Sequence, residues 1–385
     1  MFFFTILIIL LATKLAGDLS VRLGMPAVVG KLIIGVIIGP AIFSWVENSE
    51  IIDELSEIGV LLLMFIAGLE TDIDELKRSF KSSTAVAIGG IILPFVGGYL
   101  VGTAIGMEPS HVIFLGLLLS ATSVSISVQS LKELNMLNSR ESTTILGAAI
   151  LDDILVVILL AFVMSIYSGE EVNLMLVISK KFIFFIIAGL MIWKGAKWFM
   201  KWLAPLRVTE SVISAGLIVC FLLAFVAEEL GVAGIIGAFA AGLAISQTKY
   251  KEEVEHKLEP IAYAIFVPIF FVSVGFSVSF EGLGEHLGLI AVLSVIAILT
   301  KLLGSGLGAR LTGFSTRSSL GIGSGMVSRG EVALIIATIG MESGLLNPDY
   351  FTILVIVVIL TTLITPFLLK IIFRGQTATR EYDDA

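Results

Sequence analysis

TILGAAILDDILVVILL, residues 144–160, sets two adjacent carboxylates, Asp152 and Asp153, in the middle of an otherwise apolar run. Gly147 to Ile150 precede the pair and aliphatic residues from Ile154 to Leu160 follow it, so a helix here carries both acids to the bilayer midplane. An uncompensated charge at that depth costs roughly 3 kcal/mol on insertion scales, and more in simulations. Such residues are kept where a cation, a proton or an opposite charge compensates them. The stretch therefore reads as the ion-binding helix of a transporter.

The rest of the chain agrees with a membrane setting. Its 385 residues are 57% hydrophobic and 15% charged, with a mean hydropathy of +1.05, far too apolar for a soluble domain. The expected fold is an all-α polytopic membrane protein with the lipid bilayer as its surroundings and no nucleic acid as partner. The net charge of -8 says little, because in such a protein the placement of charge matters more than its sum. Cys220 is the single cysteine; it permits no intrachain disulfide, gives no metal-site spacing and reads as a small core residue. No cofactor is expected. The start, MFFFTILIILLATKLAG, has no basic stretch before its apolar run, which predicts a retained first helix.

A bilayer-crossing helix needs about 20 apolar residues, and thirteen segments qualify as candidates: 2–20, 26–44, 52–69, 84–106, 111–130, 141–167, 175–200, 209–228, 231–247, 257–280, 286–310, 316–341 and 349–373. With the N-terminus outside, 18 of the 24 Lys and Arg residues fall in cytoplasmic loops and the tail, and only Lys180 and Lys181 on the outer side. Lys14, Lys31, Lys301 and Arg329 lie within apolar segments. This bias predicts an outer N-terminus and a cytoplasmic C-terminus in the plasma membrane.

An internal repeat is visible. LGMPAVVGKLIIG (23–35) matches LGVAGIIGAFAAG (230–242), an offset of 207 residues. At that offset Gly68 falls on Gly275, and Ala121–Val124 falls on Ser328–Glu331. The second segment thus matches the ninth, and an odd shift turns the second copy upside down. Inverted repeats of this kind mark secondary transporters, whose sites lie at the repeat interface and use broken helices. Two segments look broken: SATSVSISVQS (120–130) and its repeat mate GIGSGMVSRGEV (321–332). Both have poor helix propensity for an interior, and unwound backbone is tolerated at membrane depth only inside protein or around a polar cavity. Two such helices crossing would bring opposed dipole ends together, fields that Arg329 and Glu331 can neutralise; the simplest role of that pair is to stabilise the crossing.

Adjacent helical residues point about 100° apart, so Asp152 and Asp153 need different partners. Lys301, deep in AVLSVIAILTKLLGSGLGA (291–309), is the candidate for one of them. Desolvation disfavours its charge and a carboxylate favours it, so that charge becomes sensitive to what occupies the site.

ATSVSISVQSLKELNML (121–137), ILGAAILDDILVVILLA (145–161), the lysine of the eleventh segment and GSGMVSRGEVALIIA (323–337) together carry a resemblance. Over nearly its whole length the chain resembles the sodium/proton antiporters of the monovalent cation:proton antiporter-2 family, with the acidic pair as the most specific motif. The resemblance implies about thirteen helices in inverted repeats with two crossed discontinuous helices, and a homodimer. It implies a scaffold at 1–80 and 205–280, a mobile core at 84–168 and 286–373, a linker helix at 172–204 and a short tail at 374–385. The core would move like an elevator beside the scaffold. Carried over by position, Asp153 binds cation or proton in alternation, Asp152 partners Lys301, and Thr122 and Ser123 sit where the broken helix crosses the site. Relatives with Asp-Asp are electrogenic sodium exchangers. Potassium-efflux relatives carry Gln-Asp and an added nucleotide-binding domain, and this chain departs from that branch.

The exchange mechanism follows from chemistry alone. A carboxylate that holds either a proton or a cation lets one displace the other, and sodium, like other hard cations, suits carboxylate, hydroxyl and carbonyl oxygens. Proton entry driving sodium exit, with lithium as a second cation, is the expected cycle. A potassium or mixed-cation exchanger is the alternative on the same fold. A carrier of organic anions would want cationic groups at its substrate, and an aspartyl protease would need two acids facing one another, which neighbours on one helix do not do. No enzymatic activity is expected. Elsewhere, Lys14 and Asp18 have the spacing of a helical ion pair. Lys31 is expected to snorkel or find an acid. The acids from Glu70 to Glu75 read as a solvated loop, Pro94 and Pro268 read as kinks, and His111, His256 and His286 lie near segment ends, where a histidine can sense pH.

Overall fold

The computed structural model of the protein describes residues 2–23, 25–47, 49–167, 174–276 and 283–374, and every regular element among them is helical. The first half runs α1 (Phe2–Arg22), α2 (Ala27–Ile38), α3 (Glu50–Glu70), α4 (Ile73–Ala104), α5 (Pro109–Ser120), α6 (Val124–Glu133) and α7 (Arg140–Tyr167). Then come α8 (Leu174–Leu190), a π-helical turn Met191–Gly195 and α9 (Ala196–Leu203). The second half runs α10 (Ser211–Glu229), α11 (Gly234–Ser246), α12 (Lys251–Ile261), a π-helical turn Ala262–Phe266, α13 (Val267–Phe276), α14 (Leu283–Leu311), α15 (Thr316–Gly325), α16 (Glu331–Glu342) and α17 (Pro348–Phe373). Among the described residues each predicted segment holds one helix or one interrupted pair, with α2 covering only the first two thirds of 26–44. Among the described residues nine stretches are long and apolar enough to cross a membrane by themselves, while α2 and α11 are shorter. The predicted tail beyond Arg374 and the start of the linker at 172–173 lie outside the described residues.

The repeat is written into the packing of its glycines. A Cβ on Gly30 would fall 2.2 Å from the Ala16 carbonyl oxygen, and one on Gly237 would fall 2.2 Å from that of Leu223. Ala16 and Leu223 are themselves separated by the 207-residue offset, so the α1–α2 contact recurs between α10 and α11. Across the copies the contacts are exchanged. Gly35 of α2 lies against Val272 of α13, whereas Gly242 of α11 lies against Phe65 of α3, with virtual Cβ distances to the carbonyl oxygens of 2.5 and 2.1 Å. Small residues permit this close backbone approach where no hydrophobic drive separates helix from lipid. The two copies therefore interlock about a common pseudo-twofold axis, and α8 to α9 is the crossing that has no mate.

Two groups of helices result. α2, α3, α11 and α13 pack together with α1 and α10 beside them, while α4, α5, α7, α14, α15 and α17 form a second group. Within the second, α4 and α14 touch backbone to backbone: a Cβ on Gly89 would lie 2.2 Å from the Gly304 oxygen, and the converse distance is the same.

Several polar residues settle differently from the sequence expectation. Asp18 pairs with Arg22 at 2.7 Å and not with Lys14, whose ammonium reaches the Tyr263 carbonyl at 3.5 Å. Both candidate pairs have four-residue spacing, but an acid N-terminal to its base is the better arrangement on a helix. Lys31 lies over the Phe271 ring at 5.7 Å. Asp72 caps α4 by accepting from the Asp74 and Glu75 amides. Glu70 is no loop acid: it meets Lys132 at 2.5 Å, and Lys132 also meets Glu259 at 2.9 Å. α4 continues through Pro94, and Pro260 and Pro268 flank a π-helical turn. His111 contacts the Gly344 carbonyl at 3.1 Å. Cys220 is buried.

Candidate ion-binding site

The two broken helices meet at their unwound middles. α5 stops at Ser120 and α6 starts at Val124, while α15 stops at Gly325 and α16 starts at Glu331. The Ser123 amide donates to the Ser328 carbonyl at 2.8 Å, and the Ser328 hydroxyl returns a hydrogen bond to the Ser123 carbonyl at 2.6 Å. Ser127 Oγ donates to the Gly325 carbonyl. Gly330 makes the approach possible, since a Cβ there would lie 2.6 Å from Ser123 Oγ. The serines that spoil the helix are thus the groups that satisfy the exposed backbone.

A helix that ends inside a membrane leaves carbonyls without intrahelical partners and carries a partial negative charge. At the end of α5 two cations answer both needs. Arg329, wholly buried, donates to the Leu119 carbonyl through Nε at 3.0 Å and Nη2 at 2.6 Å. It also reaches the Val327 and Ala297 carbonyls at 3.0 and 3.1 Å. Lys301 donates to the Ser120 carbonyl at 2.5 Å. Arg329 thereby pins three strands of backbone at the crossing, a role that helix-dipole reasoning anticipates in kind but not in its partners. Glu331 opens α16, and its side chain lies outside the described residues.

Lys301 also forms the predicted acid pair. Its Nζ stands 3.0 Å from Asp152 Oδ1, with both side chains fully buried. Thr122 and Arg329 adjoin the same carboxyl. The Thr122 hydroxyl faces the Asp152 carboxyl as a hydrogen-bond donor, so a hydroxyl and a carboxylate stand together, both buried, next to the start of α6. A carboxylate oxygen beside a hydroxyl suits a hard cation or a proton. Asp153 points elsewhere, as the helical geometry requires; it is 7% exposed and interacts electrostatically with Lys181 on α8 and with Lys301.

The sequence reading assigned Lys181 to the outer side without a partner; in the structure it is a buried residue, 4% exposed, whose ammonium donates to the Gly231 carbonyl. Its sole sequence signal is its place directly before a run of aromatic and aliphatic residues, Phe182 to Ile187, inside the segment. At the Lys132 end of the molecule a cavity of about 550 Å3 opens, lined by Glu70, Asp72, Asp74 and Glu75 together with Thr143 of α7 and Gln247.

Comparison with known proteins fits this geometry. The family model described as "Sodium/hydrogen exchanger, transmembrane" matches residues 6–375. The chain is 64% identical over 375 residues to the Na(+)/H(+)-K(+) antiporter GerN of Bacillus cereus, covering 97% of each chain. It is 44% identical over 366 residues to a Na(+)/H(+) antiporter of Enterococcus hirae, covering 94% of this chain and 96% of that one. The solved structure of the sodium proton antiporter MjNhaP1 from Methanocaldococcus jannaschii superimposes with a TM-score of 0.66 at 17% identity over 97% of both chains, a likeness of fold. The chain belongs to the transmembrane sodium/hydrogen exchanger family.

Proposed function

We propose that the chain is a secondary active antiporter that exchanges sodium, with lithium as a congener, for protons across the plasma membrane. The observation that carries this reading is the buried pair Asp152 and Asp153 beside the crossing, with Lys301 on Asp152. Asp153 is the carboxylate that takes a proton or a cation by turns, with Asp152, Thr122 and Ser123 completing the seat. Competition for one seat couples the two flows, and a buried carboxylate too costly to carry bare crosses only when loaded. When a cation draws Asp152 away from Lys301, the ammonium loses its counter-charge and can give up a further proton, which makes exchange electrogenic.

The helix group holding the site is read as a mobile core that moves like an elevator against the group built on α2, α3, α11 and α13. α8 and α9 link the two, and the acid-lined cavity serves as the cytoplasmic mouth for cations. The outer N-terminus and cytoplasmic C-terminus rest on the Lys and Arg bias. A homodimer through the scaffold group is consistent with the exposed apolar face of α1, where Phe3, Leu7, Leu11 and Leu15 are all more than half exposed. Potassium in place of, or besides, sodium is the second reading, favoured by the printed name of the Bacillus cereus relative.

Proton flux in proteoliposomes offered sodium, lithium or potassium one at a time tests both readings. Asp153→Asn is expected to abolish exchange with every cation; full exchange by that variant would overturn the assignment.

A further inference from the structure

Lys181 stands seven residues inside the start of α8 at Leu174, and its neighbour Lys180 is exposed while it is not. α8 packs against α7 of one helix group and against α10 and α11 of the other, so the lysine lies on the helix that touches both groups. The group that receives its hydrogen bond, Gly231, is in the turn between α10 and α11, where its φ of 69° suits glycine. An ammonium has three donors and no acceptor. One neutral carbonyl leaves the charge uncompensated, and a buried charge in the membrane needs an opposite one. Among the described residues the acid acting on Lys181 is Asp153. Asp153 also feels Lys301 from α14, which itself serves Asp152 and the Ser120 carbonyl.

We propose that Lys181 sets the cation affinity of Asp153 from outside the helix group that carries it. Tethered to the α10–α11 turn, its ammonium comes closer to the carboxylate or recedes from it as α7 shifts against α8. Close by, it answers the carboxylate's charge and an arriving sodium ion gains less. At a distance, the sodium ion is the better partner. One seat thus binds with different strength in two positions of the core, the differential affinity that any ligand-coupled transition requires. The inference rests on Asp153 being the exchange carboxylate.

The test is sodium-driven proton flux in proteoliposomes containing the full chain with Lys181→Gln or Lys181→Arg, read as the half-saturating sodium concentration. The neutral variant is expected to need about tenfold less sodium, the scale of one partly screened charge, and the arginine variant to stay near the unaltered protein. If the glutamine variant does not assemble, Lys181→Met keeps the aliphatic stem and carries the same expectation. A folded neutral variant with unchanged or raised half-saturation, alongside an inactive Asp153→Asn protein, overturns the inference and leaves the exchange reading standing. Sodium exchange by Asp153→Asn overturns both.

Discussion

Lys301 Nζ donates to Asp152 Oδ1 across 3.0 Å, and neither side chain has any solvent exposure. Removing one partner from such a pair strands the other charge, at a cost of roughly 3–5 kcal/mol. Asp152 can relieve that cost by keeping a proton. Lys301→Ala is therefore expected to retain cation exchange at reduced rate while losing its dependence on membrane potential, because no ammonium remains to release a proton in step with the cation. Flux in potential-clamped proteoliposomes checks this. An unchanged potential dependence would remove Lys301 from the coupling.

Arg329 makes a structural prediction. Its guanidinium serves the Leu119, Val327 and Ala297 carbonyls at once, and hydrogen bonds to a charged group contribute about 1.5–3 kcal/mol each. Arg329→Gln is expected to lower the melting temperature of the purified protein well below that of Lys301→Ala. Arg329→Lys should fall between, since a lysine keeps the charge but not the planar fork. Equal melting temperatures for the glutamine and lysine variants would show that the geometry of the fork is immaterial.

Gly90 of α4 gives Lys301 its room. A Cβ there would lie 2.4 Å from Ser305 Oγ and 3.5 Å from the Lys301 ammonium. Gly90→Ala is expected to slow exchange about tenfold, with an overpacking loss of ~1–3 kcal/mol. Ser305→Ala in the same chain removes the tighter contact and should restore much of both, as coupled neighbours do. Gly189→Ala, where a Cβ would meet nothing within 4 Å, is the control and should be neutral or slightly stabilising, given alanine's better helix propensity. Failure of the second substitution to rescue would locate the damage elsewhere.

Much of this was legible before any coordinates, for identifiable reasons. A lysine in an apolar run demands a carboxylate, so composition and depth ask for an acid on Lys301; that the acid is Asp152 and not Asp153 is what the family resemblance implied. Poor helix formers at 120–130 and 321–332 forecast the interruptions at Ala121–Ser123 and Met326–Gly330. The burial of Lys181 escaped because it depends on a turn 50 residues further along the chain. Glu70 escaped similarly, because its partner Lys132 lies 62 residues away on α6. Local spacing ranks pairs along one helix and is silent on which distant helix closes over a charge.

The interlocked glycines provide the last prediction, which concerns the repeat itself. Gly35 and Gly242 occupy equivalent positions in the two copies, and each presses on the backbone of the other copy, at Val272 and Phe65 respectively. If the pseudo-twofold axis governs the packing, an added methyl is opposed equally at either place. Gly35→Ala and Gly242→Ala are each expected to cost about 1–3 kcal/mol by overpacking, seen as similar drops in melting temperature. The double variant should show close to the sum, because the two contacts share no partner and distant sites add. A large loss at one position with none at the other would mean that the likeness of the two stretches is an ancestral trace, and that one of the two contacts can yield.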